Sequence, residues 1–60
     1  MTTANVLNAV NADTLKEKST GHIWEVVGLH EGYDFGLLLV NGSTNRIIFP
    51  IDLPHYYIHS

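Results

Sequence analysis

Apolar residues change their spacing at Gly21. After it they recur at every second position, and in most segments the alternate positions are apolar too. Residues 22–29 read as a strand rich in β-formers. Trp24 and Val26 point to one side, Ile23, Val27 and Leu29 to the other. Residues 30–34 read as a turn or short loop holding Gly and Asp. Residues 35–40 predict a second strand, with Phe35, Leu37 and Leu39 on one face and Gly36, Leu38 and Val40 on the other. Asn41-Gly42-Ser43-Thr44-Asn45 is a hairpin signal. Residues 46–51 predict a third strand, and Pro50 puts its end at an edge or bulge because proline donates no ladder bond. Residues 52–55 read as a turn of 3₁₀ type, and Tyr56–His59 as a short last strand.

The first 20 residues behave differently. They hold both lysines and no aromatic residue, and residues 1–3 read as a frayed end. Two readings stay open for residues 4–18. One is a helix, with Val6, Leu7 and Val10 on one side and Lys16 and Lys18 near its C-terminus, ended by Gly21. The other is a first strand over residues 5–10, followed by a short helical turn that Asn11 caps and that runs to Lys18.

The run Ile47-Ile48-Phe49-Pro50-Ile51-Asp52-Leu53-Pro54-His55-Tyr56-Tyr57-Ile58 resembles the ending of SH3-like small barrels. In those, a meander of short strands runs into a 3₁₀ turn and a short closing strand. The resemblance is one of pattern over about 40 residues, and it implies a fold and no activity, since one fold hosts many functions. The expectation is a mainly-β single domain over residues 1–60, an SH3-like antiparallel barrel or β-meander. Residues 1–20 form its helix or first strand and residues 21–60 its meander. The alternative is an α+β fold, with an N-terminal helix on a sheet of three or four antiparallel strands.

Size sharpens this picture. A chain of 6.7 kDa should fold to roughly 3,900 Å² of surface, burying about 60% of what it exposes when extended. At that size the gain from burial and the cost of ordering the chain nearly cancel. There is no cysteine, so disulfides and thiolate metal sites are excluded. The remaining support is a partner chain, and a homo-oligomer is expected. The two-faced strands point the same way, because one small core cannot take both faces.

The net charge is −3, and Lys16, Lys18 and Arg46 are the only basic side chains. A phosphate-binding surface needs several cations on one face, so nucleic acid is not the expected main partner. No segment has the apolar length of a membrane span, and no signal-peptide pattern opens the chain. A cytoplasmic setting is the default expectation. A chain this short that starts at its own Met1 also suits a phage, plasmid or bacterial accessory protein.

Chemistry-bearing motifs are sparse. Asp34-Phe35-Gly36 matches the kinase magnesium tripeptide in letters only, without the length or Gly-rich loop a kinase needs. Asn41-Gly42-Ser43 fits a glycosylation sequon but is explained by the turn. Ser43 and Ser60 sit in no nucleophile elbow. No enzyme activity and no cofactor is expected. Four histidines are many for this length; His55 and His59 with one further group are a conceivable metal site. His22, His30 and His55 flank apolar strands and are candidates for a pH-sensitive interface. The aromatic residues are the main functional signal, since Tyr and Trp are enriched at binding hot spots. Trp24, Tyr33, Phe35, Tyr56 and Tyr57 are the candidate partner-binding residues, although Trp24, Phe35 and Phe49 could equally form the core. Tyr56 and Tyr57 are consecutive, so a strand would bury one and present the other. The expected function is a small non-enzymatic protein-binding module: an inhibitor, adaptor or regulator. Alternatives are a nucleic-acid-binding small barrel and a histidine metal protein.

Overall fold

A computed structural model describes residues 2–30, 32 and 35–59. The elements in order are β1 (Thr2–Thr3), α1 (Val6–Ala9), β2 (Thr14–Glu17), β3 (Ile23–Leu29), β4 (Leu37–Asn41) and β5 (Thr44–Ile48). A 3₁₀ segment (Pro50–His55) and β6 (Tyr56–His59) complete the chain. The described strands form one antiparallel sheet in the order β1-β6-β2-β3-β4-β5. The meander, the 3₁₀ segment and the returning last strand follow in the order the sequence pattern predicts, but β5 ends at Ile48, and Pro50 and Ile51, read as strand, belong to the 3₁₀ segment. The sheet is open, with β1 and β5 as its edges, so the barrel is not closed by backbone pairing. The exposed surface is 3943 Å².

The N-terminal segment departs from both sequence readings. Helix and strand occur in the opposite order to the second reading, and the helix is far shorter than in the first. Asn5 caps α1 with an extended backbone, and a reciprocal box forms. The Asn5 side chain accepts from Asn8 N at 3.0 Å, and Asn8 Oδ1 accepts from Asn5 N at 2.7 Å. Ala9 is buried, while Leu7 stands exposed. Residues 14–17 are strand despite good helix formers in Leu15, Lys16 and Glu17. Leu15 decides it: its register puts it between Trp24 on β3 and Ile58 on β6, and it is fully buried there. Local propensity is worth tenths of a kcal/mol per residue and yields to such burial, roughly 2 kcal/mol for a leucine. The expected frayed start is also corrected. Thr2 and Thr3 pair with Ile58 and Tyr57.

The core lies on one face of the sheet. It contains Leu15, Trp24, Leu37, Leu39, Ile48 and Tyr56, with Ala4, Ala9 and Leu53 closing over them. Two expected core aromatics are elsewhere. Phe35 is 61% exposed at φ 56, a positive value that keeps it out of the extended strand assigned to it. Phe49 is 37% exposed, because β5 ends at Ile48 and Phe49 opens the 3₁₀ segment. A bulge between Val26 and Gly28 resets the alternation of β3. Leu29 therefore pairs with Leu37 rather than continuing the alternation of Ile23 and Val27, yet at the strand's end it stays 55% exposed.

The hairpin of β4 and β5 has a two-residue turn. Asn41 pairs with Thr44, and Gly42 has φ 60 while Ser43 does not share a positive φ. That matches a type II′ turn, which puts glycine first. No atom would meet a Cβ on Gly42, so the penalty of a side chain there is backbone strain alone. Gly42→Val should cost about 1–2 kcal/mol of stability, and Thr44→Val, already in strand conformation, close to nothing. Thermal melting of the two variants checks this. Equal melting temperatures would show that the turn is misplaced.

Candidate functional site

β5 carries one charged residue, and the pleat turns it inward. Arg46 lies opposite Leu39 and shares a face with Ile48, so its guanidinium projects over the core side. Nη1 donates to Glu17 Oε2 at 3.0 Å and to the Tyr56 hydroxyl at 2.9 Å. The guanidinium stacks over the Trp24 ring, 4.3 Å from a ring centroid. Thr20 Oγ1 donates to Glu17 Oε1 at 2.9 Å. Trp24 Nε1 is buried with no partner at hydrogen-bond geometry. It lies near enough to Glu17 to help favour the carboxylate. One guanidinium thus ties edge strand β5 to β2 and β6 across the opening of the sheet.

These contacts set the protonation states. Burial pushes the Glu17 carboxyl up. The hydrogen bonds from Arg46 and Thr20, the Arg46 charge and the Trp24 N–H outweigh it and hold the carboxyl below its ordinary 4.5. The bond to the Tyr56 hydroxyl raises Arg46 above its ordinary value against the effect of burial, and Glu17 adds to the rise.

Beside this cluster runs a cleft of about 520 Å³. Ile47 and Arg46 of β5 form one wall. Asp52 and His55 of the 3₁₀ segment, with Lys18 just after β2, form the other. Asp52 Oδ2 accepts from Phe49 N at 3.1 Å, which fixes the start of the 3₁₀ segment at the cleft's end. Lys18 Nζ donates to Thr3 Oγ1 at 3.2 Å and sits 4.6 Å from the Tyr57 ring centroid. A second cleft of about 360 Å³ adjoins Arg46 on the Trp24 side, between His22, Asn41 and Thr44.

No protein-family model, curated protein or solved structure matches this chain.

The candidate residues scatter. Trp24 and Tyr56 are buried at 3% and 4% exposure, so neither offers its ring to a partner as expected. Each contributes at a cleft wall instead, Tyr56 through its hydroxyl. Tyr57 is half-buried on the opposite face under Lys18. Phe35 is exposed, and Tyr33 lies outside the described residues. Of the histidines named for an interface, His22, His30 and His55 are all exposed, and His30 Nδ1 accepts from Gly32 N at 3.1 Å. His59 Nδ1 lies 3.0 Å from Thr14 Oγ1, and that hydroxyl also bonds the His59 carbonyl. Among the described residues no group of three or more His, Asp or Glu side chains could hold a metal, so His55 and His59 gain no third ligand. No helix among them is long and apolar enough to cross a membrane.

Sequence reading weighed Arg46 only as a phosphate contact and passed over Glu17. A usable signal existed. Arg46 shares alternation parity with Ile48, so if Ile48 is core, Arg46 faces inward and needs an acid.

A pH dependence follows. The Glu17 carboxyl has its folded pKa below the unfolded 4.5. Its contribution is fully present above the unfolded value and is lost as pH falls through the lower folded one, where the unfolded chain binds more protons. Wild type should lose stability below about pH 4.5 more steeply than Glu17→Gln. Urea unfolding at neutral and acid pH measures it. Parallel losses in both proteins would show that the Glu17 charge contributes nothing.

Proposed function

We propose that this chain is a small non-enzymatic protein-binding module, an inhibitor, adaptor or regulator, which takes its partner as an added strand on the free edge of β5. The observation that carries this reading is the edge itself and the cleft beside it. In a two-residue hairpin the flanking pair, here Asn41 and Thr44, is hydrogen-bonded. Bonded pairs alternate from there, so Thr44, Arg46 and Ile48 bond β4. The N–H and C=O groups of Asn45 and Ile47 point the other way, where the sheet has no further strand. Phe49 N is the next donor on that side, and Asp52 takes it. The cleft opens at Ile47, immediately before that capped position.

Edge strands are usually blunted by lysine, proline, bulges, inward-pointing charges or a covering element. Thr44-Asn45-Arg46-Ile47-Ile48 has no lysine and no proline, and its ladder to β4 runs without a register shift. Its single charge, Arg46, is turned inward, which is itself one of those devices, but Glu17 and Tyr56 hold it within the chain. A bound segment would gain main-chain hydrogen bonds along the edge and pockets for alternate side chains, the mode of strand-adding recognition domains. The three cations do not favour the nucleic-acid alternative. Lys16 and Arg46 lie on opposite faces of the sheet, and Lys18 is engaged with Thr3 and Tyr57.

Self-association is the second reading, supported by the outer face. Leu38 and Ile47 are direct cross-strand neighbours there, Val40 follows Leu38 on the same face, and none of the three is fully buried. Sedimentation equilibrium at low micromolar concentration tests it. A folded species at monomer mass would remove a stable homo-oligomer from the reading.

Strand addition itself is tested with Ile47→Pro. Proline deletes an outward N–H and is tolerated at such an edge position, so the fold should persist while binding of an extended peptide is lost. Amide shifts at Asn45 in ¹⁵N spectra, titrated with an acetylated, amidated peptide alternating valine and glutamine, report it. A variant that still binds as wild type does would overturn the β5 edge as the site.

A further inference from the structure

We infer that the segment taken by β5 is acidic, with carboxylate and apolar side chains alternating along it. This rests on the strand-addition reading above and names the partner's chemistry. A strand laid beside β5 puts alternate side chains on the two faces of the sheet. Those on the core-facing side fall next to Arg46, and those on the outer side fall next to Ile47, at cross-strand distances of about 5 Å.

The core-facing position is suited to an anion. Both carboxylates of the cleft are already engaged by internal donors. Glu17 accepts from Arg46 and Thr20, and Asp52 accepts from Phe49 N. Arg46 has donors to spare. Among the described residues it makes both its hydrogen bonds through Nη1, and a guanidinium carries five N–H donors, so Nη2 and Nε offer further ones. The Arg46 side chain is 40% exposed and walls both clefts. Glu17, Tyr56 and Trp24 hold the guanidinium plane still, so a carboxylate meets a pre-oriented fork. The outer position is suited to an apolar side chain, which would extend the Leu38–Ile47 pair by one strand. The whole chain carries a net charge of −3. Long-range electrostatics therefore oppose an acidic peptide, and any preference for one reports the local site.

The test compares two acetylated, amidated peptides of equal length on the ¹⁵N-labelled wild type. One alternates valine with glutamate, the other valine with glutamine. Both should shift the amide signals of Asn45 and Ile47. The glutamate peptide should bind about tenfold more tightly at low salt, as one charge-assisted contact allows. That gap should close at high salt, and the glutamate peptide alone should move the Arg46 Nε–H signal. Equal affinities with shifts on β5 would overturn the acidic partner and leave strand addition standing. No shift on β5 with either peptide would overturn both. Because the comparison is made on wild type, it does not depend on a variant that might unfold by losing the Arg46 contacts.

Discussion

An open sheet of short strands must hold its ends together to enclose a core, and here the Arg46 guanidinium spans the gap. β5 is an edge, and β2 and β6 lie far from it in strand order. Nη1 nevertheless reaches Glu17 on β2 and the Tyr56 hydroxyl on β6, with the plane lying on Trp24 of β3. Four strands therefore meet at one side-chain cluster where backbone pairing is missing. Removing either charge would leave the other partly buried and unpaired, which costs more than the pair itself contributes.

The core that the cluster closes is small, and its composition reflects that. Two alanines, Ala4 and Ala9, are among its most buried residues, because the chain bearing α1 must approach the sheet closely. Leu53 enters from the 3₁₀ segment, and Tyr56 packs its ring inside while its hydroxyl serves the cluster. Tyrosine suits that place, since a buried hydroxyl needs a partner and Arg46 supplies one. Large aromatics such as Phe35 and Phe49 are left toward solvent.

The same arrangement determines what the surface offers. Asp52 satisfies the outward N–H of Phe49, so the 3₁₀ segment both ends β5 and stands across the cleft from it. The edge from Asn45 to Ile47 is left with backbone groups directed outward. A guanidinium fixed for structural reasons is there at the same place. Structure and recognition would then share one residue, whose inner nitrogen holds the fold and whose outer edge meets a ligand.

Most of the β architecture was legible in the sequence. Period-two runs of β-formers located the strands around Trp24, Leu37–Leu39 and Ile47–Ile48, Asn-Gly marked the hairpin, and Asp52-to-His55 marked the later part of the 3₁₀ segment, because these signals act over a few neighbouring residues. The first 20 residues were not legible. Their local preferences are weak, and Leu15 became a strand residue only because Trp24 and Ile58 stand on either side of it. The bulge that re-aims Leu29, the positive φ that turns Phe35 out, and the Glu17–Arg46–Tyr56 cluster belong to the tertiary structure alone. Glu17 and Arg46 are 29 residues apart, and no periodicity reports a pairing at that separation. Sequence determined which residues prefer to be extended and where the chain turns, since those are local energies. Tertiary structure decided which of them share a face, which edge stays open and which charge is held there, since those follow from packing the strands around a single core.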